Sequence, residues 1–287
     1  MSAPVEAAFL DACRAELEAL KPGNVHRHAA GHGMTVDDFL YSAEVAVPAI
    51  AAKGEPVGRR VLGAVEATRA AVGQNTNLGI LLLCAPLALA AERAAGPTAL
   101  WPALEEVLAS LTVDDARLAY RAIRLASPGG LGRSDAADVQ DEPAITLLEA
   151  MHLAAPRDRI AWNYANGFGD VRDTGLPALA AQAAHRGQGW DVTAAFLAFL
   201  GSLDDTHIVR KLGPGVAREV RLRAAELSRR LASEPNPSAL EGALLAFDAE
   251  LKAAGINPGT SADLTVATVF ARNLLDLLPI ERVKRLP

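Results

Sequence analysis

Five polar stretches, each at a break between apolar runs, hold the residues of this chain that are equipped for chemistry. In Lys21-Pro22-Gly23-Asn24-Val25-His26-Arg27, two cations suit phosphate oxygens and Gly23 lets a backbone approach closely. The same residues also read as a plain helix stop with exposed basic side chains. Asn75, Thr76 and Asn77 precede Leu78-Gly79 and the most apolar run; with the free N–H groups of a helix start they make an anion site. A helix needs one capping residue, and here three stand in a row. Asp135 and Asp138 follow a glycine-rich break and share a face if a helix begins at Ser134. Such carboxylates suit magnesium bridged to substrate phosphates, or simply complement a helix dipole. Asp204 and Asp205 end an apolar stretch where paired carboxylates are costly without a metal or cationic partner. They are the strongest local candidates for catalysis and metal binding, with Thr206, His207 and Lys211 beside them. Last, Ser261 and Asp263 follow Asn257-Pro258-Gly259, as a helix cap or as the polar wall of a nucleotide pocket.

The elements that must carry these residues are helical. Apolar residues make up 51% of 287 and aromatics only 5%, with alanine and leucine dominant, which favours helices over a sandwich of strands. Apolar spacing near 3.6 predicts helices at Val5–Ala19, Phe39–Ile50, Val57–Val72, Leu78–Arg93, Leu100–Leu111 and Val113–Ala126. Beyond the glycine-rich break it predicts Pro143–Ala155, Asp158–Asn166, Leu176–Arg186, Val192–Leu203 and Val216–Leu231. A helix ending at Ala253 and another over Ser261–Leu278 complete the set. Thr35 reads as an N-cap, with Asp37 and Asp38 in the first turn. With no repeat and no long linker, residues 1–287 read as a single all-α domain whose pocket is formed by helix-junction loops.

A net charge of −6 argues against a general nucleic-acid binder. Cys13 and Cys84 lack the spacing of a zinc site or disulfide framework. The start of the chain has no basic and apolar leader, and the longest apolar run, Leu78 to Ala91, is short for a membrane span and contains Pro86. A cytoplasmic protein with no membrane contact is expected. A homodimer is compatible with this composition, though no stripe demands it.

Taken in order, the motifs resemble the triphosphoribosyl-dephospho-CoA synthase family. The resemblance rests on Lys21-Pro22-Gly23, on Asn75-Thr76 with Gly79, on Asp204-Asp205-Thr206 and on Pro258 to Leu264, which together span nearly the whole chain. It implies an all-α fold, ATP and dephospho-CoA as substrates, release of adenine, and dependence on Mg2+. It further implies that Asp204 and Asp205, with Asp135 or Asp138, hold metal bound to triphosphate. Lys21, Gly23, Asn24, Arg27, Asn75, Thr76, Asn77, Gly79, Thr206, His207, Lys211, Ser261 and Asp263 would contact substrate. Asn77 and Leu78 stand where members commonly carry His and Lys, and Lys211-Leu212-Gly213 where many carry Arg-Gly-Gly. These departures mark a divergent branch. They leave open a related phosphoribosyl-type transferase or hydrolase with another acceptor, as in methanopterin-type one-carbon cofactor biosynthesis, and a non-catalytic nucleotide-binding protein.

Overall fold

Local side-chain chemistry sets where several helices begin. Thr35, Thr112 and Thr146 each accept a hydrogen bond from the backbone N–H three residues on, and the acids there, Asp38, Asp115 and Glu149, accept from the threonine N–H in return. Each reciprocal cap satisfies two donors that a helix start would otherwise leave orphaned.

The structure, a computed structural model, describes residues 2–29, 33–127 and 138–279. In chain order the helices are α1 (Ser2–Glu18), α2 (Val36–Ile50), α3 (Val57–Val72), α4 (Leu78–Arg93) and α5 (Leu100–Ala109). Then come α6 (Val113–Ala126), α7 (Leu147–Ala154), α8 (Arg159–Ala165), α9 (Leu176–Ala181) and α10 (Trp190–Ser202). The last four are α11 (Thr206–Leu212), α12 (Pro214–Ser233), α13 (Glu241–Ala253) and α14 (Gly259–Leu277). No strand occurs among the described residues, and the chain forms one all-α domain.

Two helices are buried nearly all round, as apolar sequence on every face requires. Along α4, every residue from Ile80 to Ala91 is buried, and α14 is buried from Thr260 through Ala271 except at Asp263. Pro86 lies inside α4 and lacks the N–H that would pair with the Leu82 carbonyl. The buried Tyr164 hydroxyl on α8 donates to that carbonyl instead, at 2.6 Å. Buried hydroxyls on α14 are likewise satisfied: Thr265 donates to the Ser261 carbonyl and Thr268 to that of Leu264, both at 2.7 Å. Around this pair, α1 packs through Phe9 edge-on to Phe270, and a second core gathers α10, α12 and α13 around Phe196, Leu200 and Phe247.

Several boundaries differ from expectation. The expected Pro143–Ala155 helix starts only at Leu147, after its Thr146 cap. Leu176–Arg186 breaks after Ala181, with a short 3-10 turn following. A π-type turn over Asp170–Gly175 and the whole of α11 were not anticipated. Asp135 lies outside the described residues, and Asp138 sits in a turn with its carboxylate accepting from the Gln140 N–H at 2.8 Å. The shared helical face expected for those two aspartates therefore fails at Asp138. Among the described residues no single helix is long and apolar enough to cross a membrane.

Candidate active site

A cleft of about 580 Å³ opens where the starts of α4 and α14 meet α11 and the α7–α8 junction. That volume is in the range of a small-molecule site. The polar end carries Asn75, Asn77 and Gly79 from the start of α4, His207, Arg210 and Lys211 from α11, Asn257 before α14 with Gly259, Thr260 and Asp263 from its start, and Arg157 and Asp158 before α8. The other end is largely apolar, with Ile123 and Ala126 of α6 and Leu147, Met151 and Leu153 of α7. The starts of α4 and α14 bring positive helix ends to the polar half, an arrangement that favours anions.

Hydrogen bonds knit these junctions together. Asp205 is buried and caps α11, accepting from the N–H groups of His207 at 2.9 Å and Ile208 at 3.2 Å. Its other oxygen accepts from the N–H and hydroxyl of Ser261, both at 2.8 Å. Thr206 and Thr260 share a hydroxyl contact at 3.0 Å, and the Arg159 N–H donates to Thr206 at 3.2 Å, so α8, α11 and α14 meet at one point. Burial raises the Asp205 carboxyl while the four donors oppose that rise.

The adjacent aspartates therefore do different things. Asp204 is exposed, lies outside the cleft and pairs with Arg221 of α12 at 2.7 Å. The reason is positional: Asp205 is the cap of α11, and the residue before a cap projects away from it. Asp205 holds the cleft from behind rather than lining it. Lys21 is also behind the cleft, wholly buried, donating to Glu16, to the Asn24 side chain at 3.0 Å and to the Val25 carbonyl at 2.8 Å. With three acceptors around it, it is not placed to grip phosphate as expected.

Gly23 has φ of +82° and donates its N–H to Asp248 at 2.8 Å, so the Lys-Pro-Gly turn is a packed structural corner. Arg27 is exposed and paired with Glu18, on the rim of a separate cavity between α1 and α14. Asn24 does line the cleft and donates to Asn257 at 2.8 Å. Asn75, Thr76, Asn77, Gly79, His207, Lys211, Asp138 and Asp263 line it as well. Of the three consecutive α4 candidates, Asn75 accepts from the Leu78 N–H at 3.1 Å, Thr76 donates to Ser42 at 2.6 Å and Asn77 donates to Thr68 at 3.1 Å. Thr206 and Ser261 stand behind the lining, in the junction network.

Asp263 lines this site from the start of α14. A Cβ built on Gly79 would lie 2.1 Å from its Oδ2, so the carboxyl is pressed against the first turn of α4 and only glycine admits it there. Burial and the nearby carboxyls of Asp205, Glu16 and Asp158 hold the Asp263 carboxyl well above the usual range, with Arg210 opposing. Among the lining residues that the sequence motifs do not single out are Glu16, Arg157, Asp158 and Arg210. Arg210 lay within the Asp204–Lys211 stretch and was the one legible signal; nothing local marked Glu16 or Arg157.

A model of the family described as ATP:dephospho-CoA triphosphoribosyl transferase matches residues 2–281. A crystal structure from Archaeoglobus fulgidus, provisionally named a triphosphoribosyl-dephospho-CoA synthase, is similar with a TM-score of 0.63 and 23% identity. The match covers 82% of this chain and 98% of that one, and at such identity it speaks for the fold. No curated protein matches the chain significantly.

Proposed function

The chain belongs to the ATP:dephospho-CoA triphosphoribosyl transferase family, and from that premise we propose that the cleft between α4 and α14 is where the triphosphoribosyl group of ATP passes to dephospho-CoA with release of adenine. The observation that carries this assignment is the Asp263 carboxyl, held against Gly79 inside a cleft rimmed by Arg157, Arg210 and Lys211.

Breaking the N-glycosidic bond leaves an electron pair on an adenine nitrogen and positive charge on the ribose. A carboxyl whose pKa is raised is suited to donate a proton to the departing base, and Asp263 meets that description. The carboxylates nearby stabilise the oxocarbenium-like charge, an electrostatic effect that is strong in a site closed to water. Arg157, Arg210 and Lys211 take the triphosphate oxygens, with the start of α4 supplying neutral donors. The apolar wall of α6 and α7 suits the uncharged arm of the acceptor.

Magnesium fits these residues as an ion that arrives with substrate. Among the described residues there is no group of three or more ligating side chains. Mg2+ commonly takes one or two carboxylates and completes its shell with phosphates and water. Asp158 would hold it, and it would supply positive charge to the triphosphate, while Asp263 keeps its proton for the departing base. Asp204, expected as a metal ligand, is not part of this assignment. We place the enzyme in the cytoplasm; the cleft is built within one chain, so a homodimer is not needed to complete it.

The test is chromatographic detection of adenine from ATP and Mg2+, with and without dephospho-CoA. Release that requires dephospho-CoA, with a matching gain of mass on the acceptor, is the expected result. Release without dephospho-CoA refutes the acceptor, and ATP binding with no release refutes the enzyme reading.

A further inference from the structure

The transfer needs a second proton carrier, because the acceptor hydroxyl must lose its proton as the new C–O bond forms. Four lining residues carry a carboxyl: Glu16, Asp138, Asp158 and Asp263. Asp158 caps α8, accepting from the Ala161 N–H at 3.0 Å, and faces Arg210 at 3.8 Å. Asp138 is engaged with its own turn.

Glu16 is different. It sits in the last turn of α1, is only 4% exposed, and still contributes to the cleft wall. Its Oε1 accepts from the buried Lys21 ammonium, while no hydrogen bond among the described residues reaches Oε2. Lys21 also fixes Asn24, which in turn donates to Asn257, so Glu16, Asn24 and Asn257 form one wall leading to Asp263.

Resting on the cleft assignment made above, we propose that Glu16 is the proton acceptor for the incoming hydroxyl, and that Lys21 is its positioning residue. In the transfer, the acceptor O–H proton moves to Glu16 Oε2 and the oxygen forms its bond to the ribose C1. The bond from C1 to adenine breaks, its electron pair stays on the adenine nitrogen, and Asp263 donates the proton that neutralises it. Return of the proton from Glu16 to Asp263 restores both groups, so the net result moves one proton from acceptor hydroxyl to adenine. Burial raises the Glu16 carboxyl and the Lys21 ammonium works against that rise, the combination a hydroxyl-directed base needs: more basic than a surface carboxylate, yet charge-compensated. The Lys-Pro-Gly lysine thus serves the reaction through a carboxylate instead of through phosphate.

The experiment uses the full chain with ATP, Mg2+ and dephospho-CoA. Glu16→Gln is expected to lower kcat about 10²–10⁴-fold, the range for losing a general base, with the KM for ATP changed less than threefold. Glu16→Ala should behave alike and regain at least tenfold in rate on adding formate, a recovery that a purely structural role does not give. If Glu16→Gln fails to fold, the pair Glu16→Gln with Lys21→Met removes both buried charges and carries the same test. A kcat within threefold of the wild type, or a loss in Glu16→Ala that formate does not restore, overturns the assignment of Glu16. Wild-type chain that releases no adenine with dephospho-CoA overturns the cleft assignment, and this proposal with it.

Discussion

Replacing Gly79 by alanine separates stability from activity. The added Cβ would lie 2.1 Å from Oδ2 of Asp263 and 2.5 Å from its Cγ, where about 3.0 Å is the floor for real contacts. The carboxyl must therefore retreat by about 0.9 Å, the shortfall between those two distances. The obstructing atoms are the end of a side chain, so the fold can yield there without moving backbone. In the first turn of α4, alanine in place of glycine gains up to about 1 kcal/mol in helix propensity. Displacement of a reacting group by about 1 Å can cost on the order of 10² in rate. Gly79→Ala should thus melt within a few degrees of the wild type while adenine release falls about 100-fold. Thermal denaturation and single-turnover adenine release, run on the same preparation, read the two quantities. Turnover within threefold of the wild type would refute the reasoning, because Asp263 could not then depend on its seat against α4.

Four further outcomes follow from the same geometry. Asp204→Asn should cost no more than about 1 kcal/mol, as expected for an exposed pair with Arg221, and leave adenine release unchanged. Asp205→Ala, by contrast, should lower stability in urea by about 2–4 kcal/mol, from a lost helix cap and the stranded donors of Ser261. Asp263 has a folded-state pKa above its unfolded value, so it binds its proton more tightly when folded. Wild-type stability should consequently decline as pH climbs from the unfolded value, about 3.9, through the raised one, and Asp263→Asn should remove that part of the decline and abolish turnover; parallel stability–pH curves for the two proteins would contradict this. Arg210→Ala should raise the KM for ATP about 10–100-fold, the equivalent of about 1.5–3 kcal/mol for a charge-assisted contact, measured by initial rates at fixed ionic strength.

The sequence made the scaffold legible because helix boundaries are local events. The ranges for α3, α4 and α6 agree with the structure at both ends, and the Thr35 cap is where the Thr-x-x-Asp pattern puts it. The short α11 was missed because seven residues give too few turns for a period to appear. At the site, residue type was informative and side-chain direction was not. Asp204 and Asp205 look equivalent on paper, yet one helix start turns them to solvent and to the interior respectively. Lys21 has the charge for phosphate, but its direction is set by Glu16, which lies outside the motif. Arg157 and Arg210 reach the cleft through contacts between segments about fifty residues apart, a juxtaposition that no window along the chain displays.

The packing of α1 against α14 has a consequence for how the protein comes into being. Phe9 meets Phe270, and Asn273 donates to the Ala8 carbonyl at 3.1 Å, so the first helix is completed by the last. Glu16 from one and Asp263 from the other then stand in the same cleft. On the ribosome, α1 emerges long before its partner and has to wait, with its apolar face uncovered, until some 260 residues more have been made. Partial chains are on this account inert toward ATP and exposed to chaperones and proteases. Competence requires α14 to have left the exit tunnel and packed on α1.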